Sequence, residues 1–247
     1  MSNESGDKTL LGNFRKMIDE VSAESAYNPA NAKLKKTALE AQYTAADEAV
    51  DALGAAQAPN KLAISTREAG FGDLRALAVR SRNFLKASGA PKEVAADAEQ
   101  FVRKLSGGTR NRKAKAAAAG DAAPANTPPP ATRSSSQMSY DNQIGNFRSY
   151  IEIVKNVTEY KPNEADLKVA ALTAFADDLD ARSNAVSTTS AALTQARGER
   201  DRLLYLDEDS VVNTAKAVKS YVQAALGSDS PLFKKITGLR FTGGPRS

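Results

Sequence analysis

The chain has 247 residues, with 34 basic and 29 acidic side chains and a formal net charge of +5. It has no cysteine and no histidine, which excludes disulfides, thiolate chemistry and the commonest acid/base and metal-binding side chain. Hydrophobic residues make up 41% but aromatics only 6%, and tryptophan is absent. Such alanine-rich composition suits closely packed helices better than a deep apolar pocket.

The charge is unevenly placed. Residues 1–105 carry 15 basic and 14 acidic side chains, residues 106–140 carry 5 and 1, and residues 141–247 carry 14 and 14. The excess therefore lies in the middle of the chain, and the flanking regions are close to neutral. Residues 1–8 are polar and no window approaches the apolar length of a membrane span, so a soluble, cytoplasmic protein without membrane contact is expected.

Residues 12–67 recur as residues 145–200 without a gap, and 19 of the 56 paired positions are identical. Gly12-Asn13-Phe14-Arg15 returns as Gly145-Asn146-Phe147-Arg148, Tyr27 and Pro29 as Tyr160 and Pro162, and Arg67 as Arg200. The sequence thus predicts an all-α protein of two homologous antiparallel helical bundles produced by internal duplication. Their expected bounds are 1–106 for the first repeat, 107–139 for a flexible basic linker, and 140–247 for the second repeat.

In chain order, Thr9 is the expected N-cap of a first helix whose apolar face is Leu10, Leu11, Phe14, Met17, Ile18 and Val21. Ile144, Phe147, Ile151, Val154 and Val157 repeat that face after polar Ser139 to Asn142. Tyr-x-Pro turns follow at Tyr27 and Tyr160, because proline restricts its predecessor to extended geometry and readily opens the next helix. Long helices are expected from near Asn31 and Glu164, the latter with acidic residues in its first turn.

The second long helix carries a heptad-like coiled-coil seam of Leu172, Phe175, Leu179, Arg182, Val186, Thr189, Leu193, Ala196, Arg200 and Leu203. In the first, Pro59 should kink or break the helix near Gly54 to Asn60, and Gly70 to Gly72 should end it. The same pattern is compatible with two helices folded at Pro59, and at Ser187 to Ser190 in the second repeat. An inserted turn at Tyr205 to Ser210 precedes a helix bearing Val211, Ala215, Val218 and Val222; the matching helix of the first repeat bears Leu74, Leu77, Ala78 and Leu85, and Gly89 and Gly227 are expected C-terminal caps. An additional helical run covers Lys92 to Arg103.

Four features offer candidate sites. Arg67 and Arg200 keep a charge on the seam in both repeats and read either as partner contacts or as arginines whose stems pack while their heads pair with a carboxylate such as Asp47 or Asp180. The linker residues Arg110, Arg112, Lys113 and Lys115 could contact nucleic acid or an acidic protein surface by charge, or simply solubilise the linker. Asp207-Glu208-Asp209 has oxygen donors for a hard cation but lacks a calcium-loop pattern, which favours a solvated turn with Asp209 or Ser210 capping the next helix. Tyr27 and Tyr160, beside turn prolines, suit bundle closure better than ligand binding. No phosphate loop, dinucleotide fingerprint, zinc spacing or serine nucleophile elbow is present, so no catalytic residue, cofactor or metal is expected.

The strings Tyr160-Lys161-Pro162-Asn163-Glu164-Ala165-Asp166-Leu167 and Ser230-Pro231-Leu232-Phe233-Lys234-Lys235-Ile236-Thr237-Gly238 resemble a bacterial family of helical-bundle proteins without an assigned function. That resemblance implies helical bundles and transfers no catalytic residue. The resulting expectation is a non-enzymatic structural or interaction protein whose duplicated surfaces bind a partner protein or further copies of the chain, as a homo-oligomer or filament. A nucleic-acid-associated protein using the basic linker is the alternative, and a carboxylate/arginine enzyme the third reading.

Overall fold

The computed structural model describes residues 3–105, 139–242 and 244. The described residues are helical with turns and contain no strand. In chain order they form α1 (Asn3–Ala23), a 3-10 turn (Ala32–Leu34), α2 (Lys36–Ala87), α3 (Lys92–Leu105), α4 (Tyr140–Lys155), a second 3-10 turn (Ala165–Leu167), α5 (Val169–Asp201), a π-helical turn (Arg202–Leu206), α6 (Val211–Leu226) and α7 (Pro231–Thr237). Residues 107–138 of the expected linker, with Arg110, Arg112, Lys113 and Lys115, lie outside the described residues, and Ser139 is the N-cap of α4.

Local chemistry accounts for the corners. Tyr27 donates its hydroxyl hydrogen bond to the Leu34 carbonyl at 2.8 Å, and Tyr160 donates to the Leu167 carbonyl at the same distance. Each buried tyrosine thereby satisfies a carbonyl in the 3-10 turn that follows its proline, so the turn closes without exposing that carbonyl to solvent. Asn31 adds a side-chain cap on the Lys33 amide at 3.0 Å. The α-helices proper start at Lys36 and Val169, after these turns, so the acidic residues near Glu164 precede the second long helix instead of lining its first turn.

Three expectations about helix limits are corrected. First, α1 begins at Asn3 and Thr9 lies inside it, because Asp7 is buried and held by tertiary contacts that extend the helix N-terminally. Second, α2 runs unbroken for 52 residues through Pro59 and through Gly70 to Gly72. Pro59 removes one backbone hydrogen bond and is exposed, and the helix on both sides of it is anchored in a core, which offsets the local cost. Gly70 ends nothing. A Cβ there would stand 2.9 Å from Arg182 Cδ and 3.2 Å from Leu179 Cδ2, so the absent side chain lets α2 lie close against α5. Third, neither Asp209 nor Ser210 caps α6 with its side chain, although Ser210 occupies the N-cap position. Gly89 and Gly227 do adopt positive φ, at 85° and 83°, as helix-terminating glycines.

The compact units do not follow the sequence repeats. One unit comprises Met1–Lys61 with Thr188–Ser247, and the other comprises Leu62–Ser187. Their bounds differ from those expected for the two repeats, 1–106 and 140–247. Because α2 is one continuous helix, its two halves do not fold back on one another. Each core is completed by the other repeat.

In the first unit, Phe14, Met17, Ile18 and Leu39 pack with Leu204, Val211, Ala215, Val218, Val222 and Ile236. In the second, Phe147, Tyr150, Leu172 and Leu179 pack with Leu74, Ala78, Leu85 and Val102. The α5 seam is inward throughout, with Leu172, Leu179, Val186, Leu193 and Arg200 buried and the intervening seam positions half-buried. At Arg202–Leu206 the π turn rotates the face, so Leu204 is the residue fully buried there.

Candidate functional site

Arg67 and Arg200 occupy equivalent places in the two units, each beside the start of a first helix from the other repeat. Arg200, 7% exposed, directs Nη1 to Asp7 Oδ2, and its Nε lies 2.8 Å from Asp201 Oδ1. Tyr205, brought inward by the π turn, donates to Asp7 Oδ1 at 2.6 Å. Burial alone pulls the Arg200 pKa down, but the hydrogen bond and charge of Asp7, with the charge of Asp201, outweigh it and hold the guanidinium more firmly protonated. Burial, followed by the Asp7 hydrogen bond and charge, pushes the Tyr205 phenol up, so it remains a donor.

Arg67 solves the same problem differently. Its Cζ sits 4.1 Å from the Tyr140 ring centroid, and Tyr140 in turn meets Phe71 edge-on at 4.6 Å. Asp7 and Tyr140 are themselves separated by 133 positions, as are Arg67 and Arg200. One register thus places an ion pair in one unit and a cation–π contact in the other. Both arginines are engaged within the fold, and Arg200 has little surface left for a partner.

The units differ again in their interiors. Ser81 Oγ stands 2.7 Å from the Tyr150 hydroxyl and 2.6 Å from the Tyr160 hydroxyl. Tyr160 uses its only proton on the Leu167 carbonyl, so Ser81 must donate to Tyr160 and Tyr150 must donate to Ser81. A directional chain results: Tyr150 to Ser81 to Tyr160 to the Leu167 carbonyl. Burial pushes the Tyr150 phenol up. Tyr160 is raised by burial as well. The corresponding positions in the other unit are Met17 for Tyr150 and Val218 for Ser81, both fully buried and apolar. The flanking rings fix this correspondence, because Tyr27 meets Tyr221 and Tyr160 meets Phe84 edge-on, each pair at 5.3 Å.

The acidic run after the π turn is divided among cations. Asp207 Oδ2 is 2.7 Å from Arg202 Nη1, and Asp209 Oδ2 is 3.0 Å from Lys33 Nζ, a hydrogen bond that lowers the Asp209 pKa. Among the described residues no group of three or more acidic side chains is placed to hold a metal ion. No helix of the described residues is long and apolar enough to cross a membrane.

Sequence reasoning found the arginines and the corner tyrosines but missed Asp7, Tyr140, Ser81 and Tyr150. It sought the arginine's carboxylate in the same repeat, whereas Asp180 is taken by Arg148 at 3.2 Å and the partner of Arg200 comes from the other repeat. The one available signal was the shared 133-residue offset of Asp7 and Tyr140, which lie outside the window of high identity. Comparisons with protein-family models, with curated proteins and with solved structures return no match.

Proposed function

We propose that this protein is a non-enzymatic helical scaffold, built by internal duplication, that binds partner proteins or further copies of itself through two unlike outer surfaces. The carrying observation is that the side chains kept between the repeats serve the framework. Tyr27 and Tyr160 close the corners, and Arg67 and Arg200 fasten the first helices. The hydroxyls of Tyr150, Ser81 and Tyr160 are committed to one another and to the Leu167 carbonyl, which makes them structural members at neutral pH.

What the repeats do not keep is surface. Leu62 is 69% exposed where its counterpart is Gln195, and Leu206 is 60% exposed within the turn that the first repeat lacks. Two unlike surfaces on one chain favour head-to-tail contacts over a symmetric pair, and such contacts produce chains when they do not close. Multi-angle light scattering of the full chain across a hundredfold concentration range, with electron microscopy at the upper end, tests the reading. Growth in mass supports it; a monomer at every concentration that also recovers no protein partner in pull-downs overturns it.

A further inference from the structure

Each core is made jointly by the two repeats, and this has a consequence for association. We propose that the chain's partner is a second copy of itself, bound by exchange of whole repeats, with repeat 1 of one molecule closing both units together with repeat 2 of another. The inference goes beyond the scaffold reading above, because the faces it uses are the inner faces of the repeats and not their outer surfaces.

The surface is the pair of half-cores that repeat 1 presents. Its N-terminal half offers Phe14 and Met17 to Val218 and Ile236, and its C-terminal half offers Ser81 to Tyr150 and Tyr160. The only covalent connection between the repeats is residues 106–138. Every contact inside the two units is therefore reproduced if the two repeats belong to different molecules, and no new interface has to be created. This is the condition under which domain exchange gives dimers at low cost.

The occupant is specified as well. A repeat cannot complete itself, because continuous α2 and α5 send their halves into different units. Two copies of repeat 2 are mismatched. Tyr150 would face Val218 and lose the acceptor that Ser81 provides, and Arg200 would meet Tyr140 in place of Asp7. Two copies of repeat 1 would set Ser81 against Met17, a smaller side chain opposite an apolar one, in the space that Val218 fills in the observed pairing. Repeat 1 with repeat 2 is the combination in which the hydroxyl chain and the buried ion pair are both complete.

Two versions of the full chain carrying different affinity tags test this. They are unfolded together, refolded, and captured on one tag and then the other. With an effective concentration on the order of millimolar for closure within one chain, raising the refolding concentration from about 10 to about 100 µM should raise the doubly tagged share about tenfold. That species should survive dilution, since release requires opening both cores. Absence of doubly tagged protein at both concentrations overturns the proposal. Doubly tagged protein that forms when folded chains are merely mixed, and disperses on dilution, also overturns exchange while sustaining association through outer surfaces. If refolding yields precipitate, co-expression of the two tagged chains in one cell provides the same readout, with the same outcome required.

Discussion

The two units share a frame and differ in what fills it. Both are entered through a Tyr-x-Pro corner closed by a 2.8 Å hydrogen bond, and both carry a ring at 5.3 Å from that tyrosine. Inside, one has Met17 and Val218 where the other has Tyr150 and Ser81. At the arginine, one has a buried carboxylate and the other an aromatic face. Geometry is thus set by a few local, directional bonds that recur, whereas interior filling can change from apolar to polar where the added hydroxyls, here Tyr150 and Ser81, keep partners. The difference also separates the halves chemically, since each N-terminal half matches one C-terminal half better than the other.

The largest effect is expected at the arginines. Asp7→Ala leaves the buried Arg200 charge without its main partner and should cost about 3 to 5 kcal/mol, whereas Tyr140→Ala removes a cation–π contact of about 0.5 to 2 kcal/mol together with some ring packing. Urea unfolding midpoints measure both, and equal losses would erase the distinction between the two units. Next comes the helix that Pro59 interrupts chemically but not structurally. Its counterpart is Ala192, and Pro59→Ala should restore a backbone hydrogen bond and raise stability by up to about 3 kcal/mol. An unchanged thermal midpoint would show that the cost of Pro59 is already relieved elsewhere.

The corners give a finer comparison. Tyr27→Phe loses one hydrogen bond to a carbonyl, about 1 kcal/mol, while Tyr160→Phe also deprives Ser81 of its acceptor and should cost about 1 to 3 kcal/mol. The reverse order would contradict the hydroxyl chain. These phenols also set the alkaline limit. Burial, then the charge of Tyr221, pushes Tyr27 up to about 12, and burial raises Tyr150, Tyr160 and Tyr205 too.

A raised folded-state value means that the contribution is complete below the unfolded value near 10 and is lost as pH climbs through the folded value. Stability should accordingly fall above about pH 10, by about 1.4 kcal/mol per pH unit for each phenol protonated only in the folded state. Tyr150→Phe should flatten that slope, and denaturant midpoints that stay constant up to about pH 12 would dispose of the idea. The smallest effect belongs to the retained surface arginines. Arg148→Ala breaks exposed pairs with Asp177 and Asp180, and Arg15→Ala one with Asp19; each should shift stability by about 0.5 kcal/mol or less in the same urea series.

The helical class, the two corners, the inward seam of α5 and the helix-ending glycines were legible in the residues, because each is governed by bonds or periodicities spanning a few positions. Pro59 and Gly70 misled for the same reason. Their local preference to interrupt a helix is real, but Gly70 was needed for close approach to Arg182, and anchoring on both sides carried α2 through Pro59. Ser81 gave no sign of its role and Asp7 only its 133-residue offset from Tyr140, since their partners lie 69 or more and 193 positions away.

By itself the sequence determined that this is a helical chain in which residues 12–67 recur in residues 145–200, with matching turns and matching arginines. Only the tertiary structure decided which half closes on which. Repeated local signals are identical for self-closure and for cross-closure, and the choice depends on the continuity of α2 and on whether a buried hydroxyl or guanidinium finds its complement across the core.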